Sequence, residues 1–339
     1  MDLQSLTRQL LAKQELRAEQ VWLALHAMTE ETSDKIAVAA LLTAWRAKGE
    51  TPNELRAACQ WLRQRMVPVP TGGLEVLDTC GTGGDELGTF NVSTAAALVT
   101  AACGVPVVKH GNRSVSSRSG SADVLERLGV PVELTAPGVA ACLRDHGFAF
   151  CFAPRFHPVL AQVAEVRRRL GFRTIFHLLG PLLNPASAKR QLLGVGRPEL
   201  LDLLAQTLAR LGGVEALVVH GSDGLDEITL SGPTHVRKVV GGNVEATVWY
   251  PESFGLPRYP VEAFQVSGPE QSAELIVAVL SGAKCPARDL VLANTAAALL
   301  LAGRVSRLTD GVRIAAETVD SGKALDLLQA LQRSHSSMQ

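Results

Sequence analysis

What this chain lacks narrows its chemistry before any motif is read. It carries no net charge: 33 Lys and Arg stand against 33 Asp and Glu. No global basic field therefore draws it to nucleic acid or to an anionic membrane. Its six cysteines, at 59, 80, 103, 142, 151 and 285, show no C-x-x-C spacing and fall mostly in apolar runs. Reduced core thiols fit that pattern better than a disulfide framework or a zinc site. The longest apolar stretches, such as residues 296–302, are too short to span a bilayer. The opening Met1-Asp2-Leu3-Gln4 has no basic-then-apolar layout of a signal peptide. There is no G-x-S-x-G elbow, no H-E-x-x-H pair, no internal repeat and no low-complexity tail. What is present is a chain of 339 residues, 47% hydrophobic and 19% charged. That is enough for two domains, or for one large α/β unit with a smaller partner. The expectation is a soluble, cytoplasmic protein with no membrane or nucleic-acid partner.

The first 66 residues read as helical. Apolar residues recur at helical spacing in Val21, Leu23, Leu25 and Met28, then in Ile36, Ala39, Ala40, Leu42 and Trp45. Thr51-Pro52-Asn53-Glu54 spells a helix start, with a Thr N-cap, Pro at the first helical position and Glu at N3. Gly49 just before it ends the preceding helix. The segment Val67-Pro68-Val69-Pro70-Thr71-Gly72-Gly73 breaks the pattern as a linker. Beyond it, strands and helices alternate. Strands are expected at 74–80, 105–108, 148–152, 192–195 and 216–220, with helices between them. Gly241-Gly242-Asn243 marks a hairpin, and residues 270–331 return to helix. Such alternation predicts an α/β fold with a mainly parallel sheet covered by helices.

Two segments carry most of the chemistry. Gly81-Thr82-Gly83-Gly84-Asp85 follows a strand and is neither a Rossmann fingerprint nor a Walker A loop. A lone Gly-x-Gly-Gly would pass for a tight turn. Here Thr89, Asn91, Ser93 and Thr94 follow, directly before an alanine-rich helix, and hydroxyls with free amides at a helix N-terminus cradle an anion. Asp85 would repel a phosphate, so it accepts ribose hydroxyls or holds the loop's own N–H groups. The second segment, residues 109–121, packs three cations, one Asn and five hydroxyls into thirteen positions. Lys109 suits a phosphate as a point charge, with Ser117 and Ser121 donating at the next helix start. His110 reads as a structural support for this loop rather than a catalytic base.

Two further features point to ligands. Asp226-Glu227 follows a strand ending at His220, and paired carboxylates at a strand end are hard oxygen donors for Mg²⁺. On the helix beginning near Pro158, Leu160, Val163, Val166 and Leu170 share one face at about 100° per residue. Arg167 projects within that stripe, whereas Arg168 and Arg169 project off it. A cation among core-facing positions needs a partner, which makes Arg167 a candidate for a substrate carboxylate.

Taken in order, these segments resemble the anthranilate phosphoribosyltransferases. The likeness runs from Lys48-Gly49-Glu50-Thr51 to Ala293-Asn294-Thr295-Ala296. It includes Asn91-Val92-Ser93-Thr94, Arg173-Thr174-Ile175-Phe176 and Gly180-Pro181-Leu182. It implies a fold shared with pyrimidine nucleoside phosphorylases. Residues 1–70, with a returning segment near 165–185, would form a small helical domain hinged to a large α/β domain of residues 71–164 and 186–339. It implies transfer of the phosphoribosyl group of 5-phosphoribosyl 1-diphosphate to anthranilate. Gly81, Gly84, Asp85, Thr89, Asn91, Val92, Ser93, Thr94, Lys109, Ser117 and Ser121 would bind the donor. Gly81, Asn112 and Arg167 would contact anthranilate. Ser93, Asp226 and Glu227 would hold Mg²⁺, as two ions with the diphosphate. Members are usually homodimers joined through the helical part.

His177 and Glu165 depart from the family's usual Asn and Pro, both near the acceptor side. Two rival readings are a pyrimidine nucleoside phosphorylase and a non-enzymatic nucleic-acid-binding relative. The intact 109–117 segment argues against the first, and the balanced charge against the second.

Overall fold

The computed structural model describes residues 2–114 and 119–338. Four helices come first: Leu3–Leu11, Ala18–Thr29, Lys35–Lys48 and Pro52–Arg63. Their ends follow the local chemistry. Thr51 Oγ1 accepts from the Glu54 N–H at 3.2 Å, and Glu54 Oε2 accepts from the Thr51 N–H at 3.0 Å, so the predicted capping box forms. Glu54 is buried and also takes the Leu16 N–H and the Lys48 ammonium, which ties the connection between the first two helices and the end of the third to the fourth at one carboxylate. Gly49, at φ 91°, closes the third helix.

After the 67–73 linker the chain lays down a sheet. Its strands are β1 (Leu77–Gly81), β2 (Val107–Gly111), β3 (Phe148–Phe152), β4 (Arg190–Gly194), β5 (Glu215–Gly221), β6 (Thr234–Val240) and β7 (Asn243–Trp249). Their spatial order among the described residues is β3-β2-β1-β4-β5-β6-β7. The first five run parallel, and β6 and β7 add antiparallel across the Gly241-Gly242 turn. Chain order reverses beside β1, since β2 lies on one side of it and β4 on the other. Open α/β sheets bind ligands at the carboxyl ends of strands flanking such a switch point.

The sheet is buried on both faces. Leu192, Leu217 and Val219 face a core built with helices Val92–Ala102, Pro269–Leu280, Pro286–Leu301 and Leu308–Asp320. Leu193, Ala216 and Val218 face a second core shared with helix Glu199–Leu211 and the N-terminal helices. The second core also takes Val163 and Val166 from helix Ala161–Leu170, and Ile175, Phe176, Leu178 and Leu179 from helix Ile175–Leu179. Where this stretch ends, at residues 181–184, two polar bonds join it to the sheet. Asn184 Nδ2 donates to the Val108 carbonyl at 2.8 Å, and Gln191 Nε2 reaches the Pro181 carbonyl.

The structure moves the expected strand boundaries at β1, β2, β4 and β5, most at the first two. β1 begins at Leu77, not at residue 74. β2 runs Val107–Gly111, so Lys109 and His110 belong to a buried strand rather than opening a loop. The polar side chains hid the strand from its hydrophobic pattern. All six cysteines are free thiols, four of them buried. No described helix is long and apolar enough to cross a membrane.

Candidate active site

A cavity of about 320 Å³ opens at the carboxyl ends of β1, β2 and β4 and beneath the helical segment. Its floor requires glycine. Gly81 of β1 pairs with Gly194 of β4, and the chain carrying Asp226 crosses directly over them. A Cβ on Gly194 would fall 1.5 Å from the Asp226 carbonyl oxygen, and one on Gly81 would fall 2.3 Å from Asp226 Oδ2. The bare backbone at the switch point is what admits the acidic pair.

That pair grips the two anion-binding elements read from the sequence. Asp226 Oδ2 accepts from the Gly83 N–H at 2.8 Å, and Glu227 Oε1 accepts from the Ser93 N–H at 2.9 Å. Lys109 rises from β2 beneath them. It is 2% exposed, and its Nζ donates to the Thr79 carbonyl and to Ser93 Oγ at 3.1 Å. Burial pushes the Asp226 and Glu227 carboxyls above the usual carboxylate range; for Glu227 the Asp226 charge adds to it, while Lys109 opposes it in both. Asp85 joins this group. Its carboxyl is also raised, by burial first and by Asp226 next, with which it shares a side-chain hydrogen bond. Its Oδ1 accepts from the Leu87 N–H at 3.3 Å, so it does hold its own loop.

Donors and charge in this corner suit a divalent cation. Ser93, Asp226 and Glu227 are hard oxygen donors brought to one spot, and their carboxylates are buried near Lys109, with Arg173 also acting on Asp226. Among the described residues no three His, Cys, Asp or Glu side chains form a closed metal cage. Mg²⁺ fits such a partial set, because it keeps waters and bridges to substrate phosphates.

The other walls are tied together by Asn91. Its Oδ1 accepts from Ser119 Oγ at 2.7 Å and Ser272 Oγ at 2.8 Å, and its Nδ2 donates to the Ser119 carbonyl at 3.1 Å. Asn91 thus joins the two sequence segments. Gly81, Gly84, Asp85, Thr89, Val92, Ser93, Lys109, Asn112, Ser121, Asp226 and Glu227 all line the cavity with it. Thr94 does not: it is fully buried in the first turn of the helix, with Oγ1 unpartnered. Ser117 lies outside the described residues. Arg113 reaches the cavity rim, but its guanidinium is engaged by Glu126, Glu133 and Asp123.

Three basic side chains enter from the helical segment. Arg167 is half-buried beside Val163 and Val166, while Arg168 and Arg169 are exposed, as the helical-face reading predicts. Its Cζ lies 5.2 Å from the Phe176 ring, and its buried Nε has no partner. Arg173 donates to the glycine loop, with Nη1 2.8 Å from the Gly83 carbonyl. His177 caps its own helix, Nδ1 accepting from the Thr174 N–H at 3.0 Å. Burial and then the Arg167 charge push its pKa down to about 4, so it is a neutral imidazole between two guanidiniums. Beneath them His110 Nδ1 donates to the Gly180 carbonyl at 3.2 Å, leaving Nε2 to accept from His157 Nε2 at 3.2 Å. His110 is the structural support expected of it. Sequence reasoning assigned Arg173 no role, because nothing in a chain of letters shows that it reaches a loop ninety residues away.

Comparison with known proteins agrees with this geometry. Residues 73–325 match the glycosyl transferase family a/b domain, and residues 4–66 match that family's helical bundle domain. The anthranilate phosphoribosyltransferase of Thermomicrobium roseum is 48% identical, over 97% of this chain and 95% of its own. That of Symbiobacterium thermophilum is 45% identical, over 97% of each. The crystal structure of the Thermus thermophilus enzyme superposes with a TM-score of 0.89 at 42% identity, covering 97% of this chain and 99% of its own. The Saccharomyces cerevisiae enzyme in complex with PRPP and Mg gives 0.90 at 30% identity, covering 99% and 98%. On fold, site and likeness alike, the chain belongs to the anthranilate phosphoribosyltransferase family.

Proposed function

We infer that this chain transfers the phosphoribosyl group of 5-phosphoribosyl 1-diphosphate to the amine of anthranilate, releasing diphosphate. One observation carries the reading to the residues. A single cavity joins an anion cradle, an acidic pair and an unpaired guanidinium, so donor and acceptor have separate recognition groups facing each other. Gly81, Gly84, Thr89, Asn91, Val92, Ser93, Lys109 and Ser121 serve the donor, together with Ser117. Thr94 contributes by shaping the start of its helix, and Asp85 by holding the loop. Arg167 takes the anthranilate carboxylate in fork geometry, and Gly81 and Asn112 border the acceptor.

The chemistry needs no strong base. The aromatic amine attacks C1 of the ribose, the C1–O bond breaks, and diphosphate departs with the electron pair. The amine proton passes to solvent or to the departing diphosphate. Positive charge grows on the sugar and negative charge on the leaving group. Lys109 and the Gly84 N–H would stabilise the latter, joined by the Gly83 and Ser93 N–H groups once Asp226 and Glu227 release them. Ser93, Asp226 and Glu227 would hold Mg²⁺, as two ions, and the metal would supply Lewis-acid stabilisation of the same charge. Residues 1–70 and 165–185 move as a helical domain hinged on the rest, and closure aligns the amine and excludes water. The exposed Ile36 and Leu11, 81% and 64% accessible on the helical bundle, support a homodimer through that part. We place the enzyme in the cytoplasm.

The test is direct. Anthranilate fluorescence should fall on adding the donor with Mg²⁺ and should hold steady with a chelator. A steady signal under every condition would refute the reading.

A further inference from the structure

The glycine loop does not set its own shape. Gly83 and Gly84 have φ of 62° and 75°, a region that glycine enters and leaves at little cost, so the loop has alternatives. What selects one of them comes from outside the sheet. Arg173 sits in the connection between helix Ala161–Leu170 and helix Ile175–Leu179. Its Nη1 donates to the Gly83 carbonyl at 2.8 Å, and its Nη2 donates to the Thr82 carbonyl. On the opposite side of the Thr82–Gly83 peptide, the Gly83 N–H donates to Asp226 Oδ2 at 2.8 Å. In a trans peptide the C=O and N–H point in opposite directions. That one peptide is therefore held between a cation on its carbonyl and an anion on its N–H.

The next peptide is oriented by the same guanidinium. With the Gly83 carbonyl on Nη1, the Gly84 N–H points away from Arg173. The packing is close: a Cβ on Gly84 would lie 2.0 Å from Nη1, so glycine is needed here for Arg173 as well as for its φ. Arg173 is held at some cost. Burial, and then the Arg197 charge, push its pKa down, and its buried Nε has no partner. A desolvated cation spending both terminal nitrogens on the carbonyls of one loop is there to shape that loop.

We propose that Arg173 is a positioning residue for donor binding. It turns the Thr82 and Gly83 carbonyls outward, so that the N–H groups of Gly83 and Gly84 are presented to the diphosphate. When Asp226 turns to a bound cation, the Gly83 N–H is released in an orientation that Arg173 still enforces. Because Arg173 belongs to the stretch that packs with the N-terminal helices, the loop is shaped only while that stretch is docked over it. The donor cradle is thereby completed by the side of the molecule that holds the acceptor. This rests on the phosphoribosyl-transfer reading for the identity of the anion.

The experiment uses inorganic diphosphate with Mg²⁺ as the probe, titrated calorimetrically into the full-length wild type, Arg173→Ala and Arg173→Lys. Losing a charged hydrogen-bond donor should weaken diphosphate binding by about 10- to 100-fold in Arg173→Ala. The donor KM should rise in parallel, with the anthranilate KM within about threefold. Arg173→Lys should recover only part, since one ammonium does not reproduce a two-pronged donor. Gly84→Ala should cost less in the Arg173→Ala background than in wild type, because its Cβ then displaces nothing. Unchanged diphosphate binding in Arg173→Ala overturns the proposal, as does a rise confined to the anthranilate KM. If Arg173→Ala does not fold, wild-type diphosphate binding by Arg173→Lys overturns it equally. A wild type that binds diphosphate through Arg173 yet transfers nothing to anthranilate would refute the assigned reaction and leave the positioning role intact.

Discussion

Arg167 offers the sharpest separation of binding from stability. Among the described residues no carboxylate lies within ion-pair distance of it, its Nε is buried without a partner, and burial alone pushes its pKa down. Its guanidinium stands over the Phe176 ring, 5.2 Å from the centroid. Removing the side chain in Arg167→Ala thus gives up a cation–π contact of about 0.5–1 kcal/mol. It also relieves a desolvation penalty of similar or larger size. In a chain of 339 residues the unfolding entropy makes 1 kcal/mol worth roughly 1–2 °C in Tm. The expected Tm change is therefore within about 2 °C in either direction. Substrate binding should behave oppositely. A charge-assisted bond to a carboxylate is worth about 1.5–3 kcal/mol, so the anthranilate KM should rise about 10- to 100-fold. Arg167→Lys should keep the charge and lose the fork, and so restore little. The assay is anthranilate fluorescence at saturating donor, beside a thermal melt without ligands. A Tm drop above about 5 °C with an anthranilate KM within twofold of wild type would show that Arg167 is a packing residue.

Three other perturbations read different parts of the site. Asp226→Asn and Glu227→Gln should each lower turnover by about 100-fold or more and abolish the Mg²⁺ dependence of the remaining rate, followed by a metal titration; a variant with normal Mg²⁺ activation would remove that residue from the metal set. Gly194→Ala places a methyl 1.5 Å from a backbone oxygen with no side chain to yield, so a loss of about 3 kcal/mol or more is expected in urea unfolding; a soluble variant of wild-type stability would contradict the close crossing. The His110–His157 pair should make the fold acid-sensitive. Burial holds their pKa values at about 3 and about 4, below the unfolded value, so the unfolded chain takes up protons first as pH falls. Their contribution is complete above about pH 6.5 and is lost progressively toward about pH 3. His157→Gln should flatten the urea midpoint over that window; an identical slope in wild type and variant would show that the pair does not titrate.

Legibility followed the range of the interactions involved. The Thr51–Glu54 capping box, strand β3 and the Gly241-Gly242 hairpin were all readable, because each depends on residues a few positions apart. The end of β2 was not, because Lys109 and His110 are buried against pattern. Their polar atoms are satisfied by Thr79, Ser93, Gly180 and His157, none of which is adjacent in sequence. Arg167 was legible because helical geometry is local, and Arg173 was not because its partners lie across the cavity. Thr94 looked like its neighbours in a polar string, yet one turn of helix carries it into the core.

The sequence by itself determined the class of the molecule. Alternation of strand and helix, two anion-type segments, an acidic pair and one helix-face arginine point to a phosphorylated substrate held with Mg²⁺, and the family resemblance makes it phosphoribosyl transfer. Only the tertiary structure decided how these parts act on one another. Strand order puts Gly81 beside Gly194, the bare backbone there lets Asp226 cross at contact distance, and the acids then hold the N–H groups that an anion would use. Those couplings join residues more than a hundred positions apart. They exist because burial in a close-packed core leaves each polar group no partner but the ones the fold brings to it.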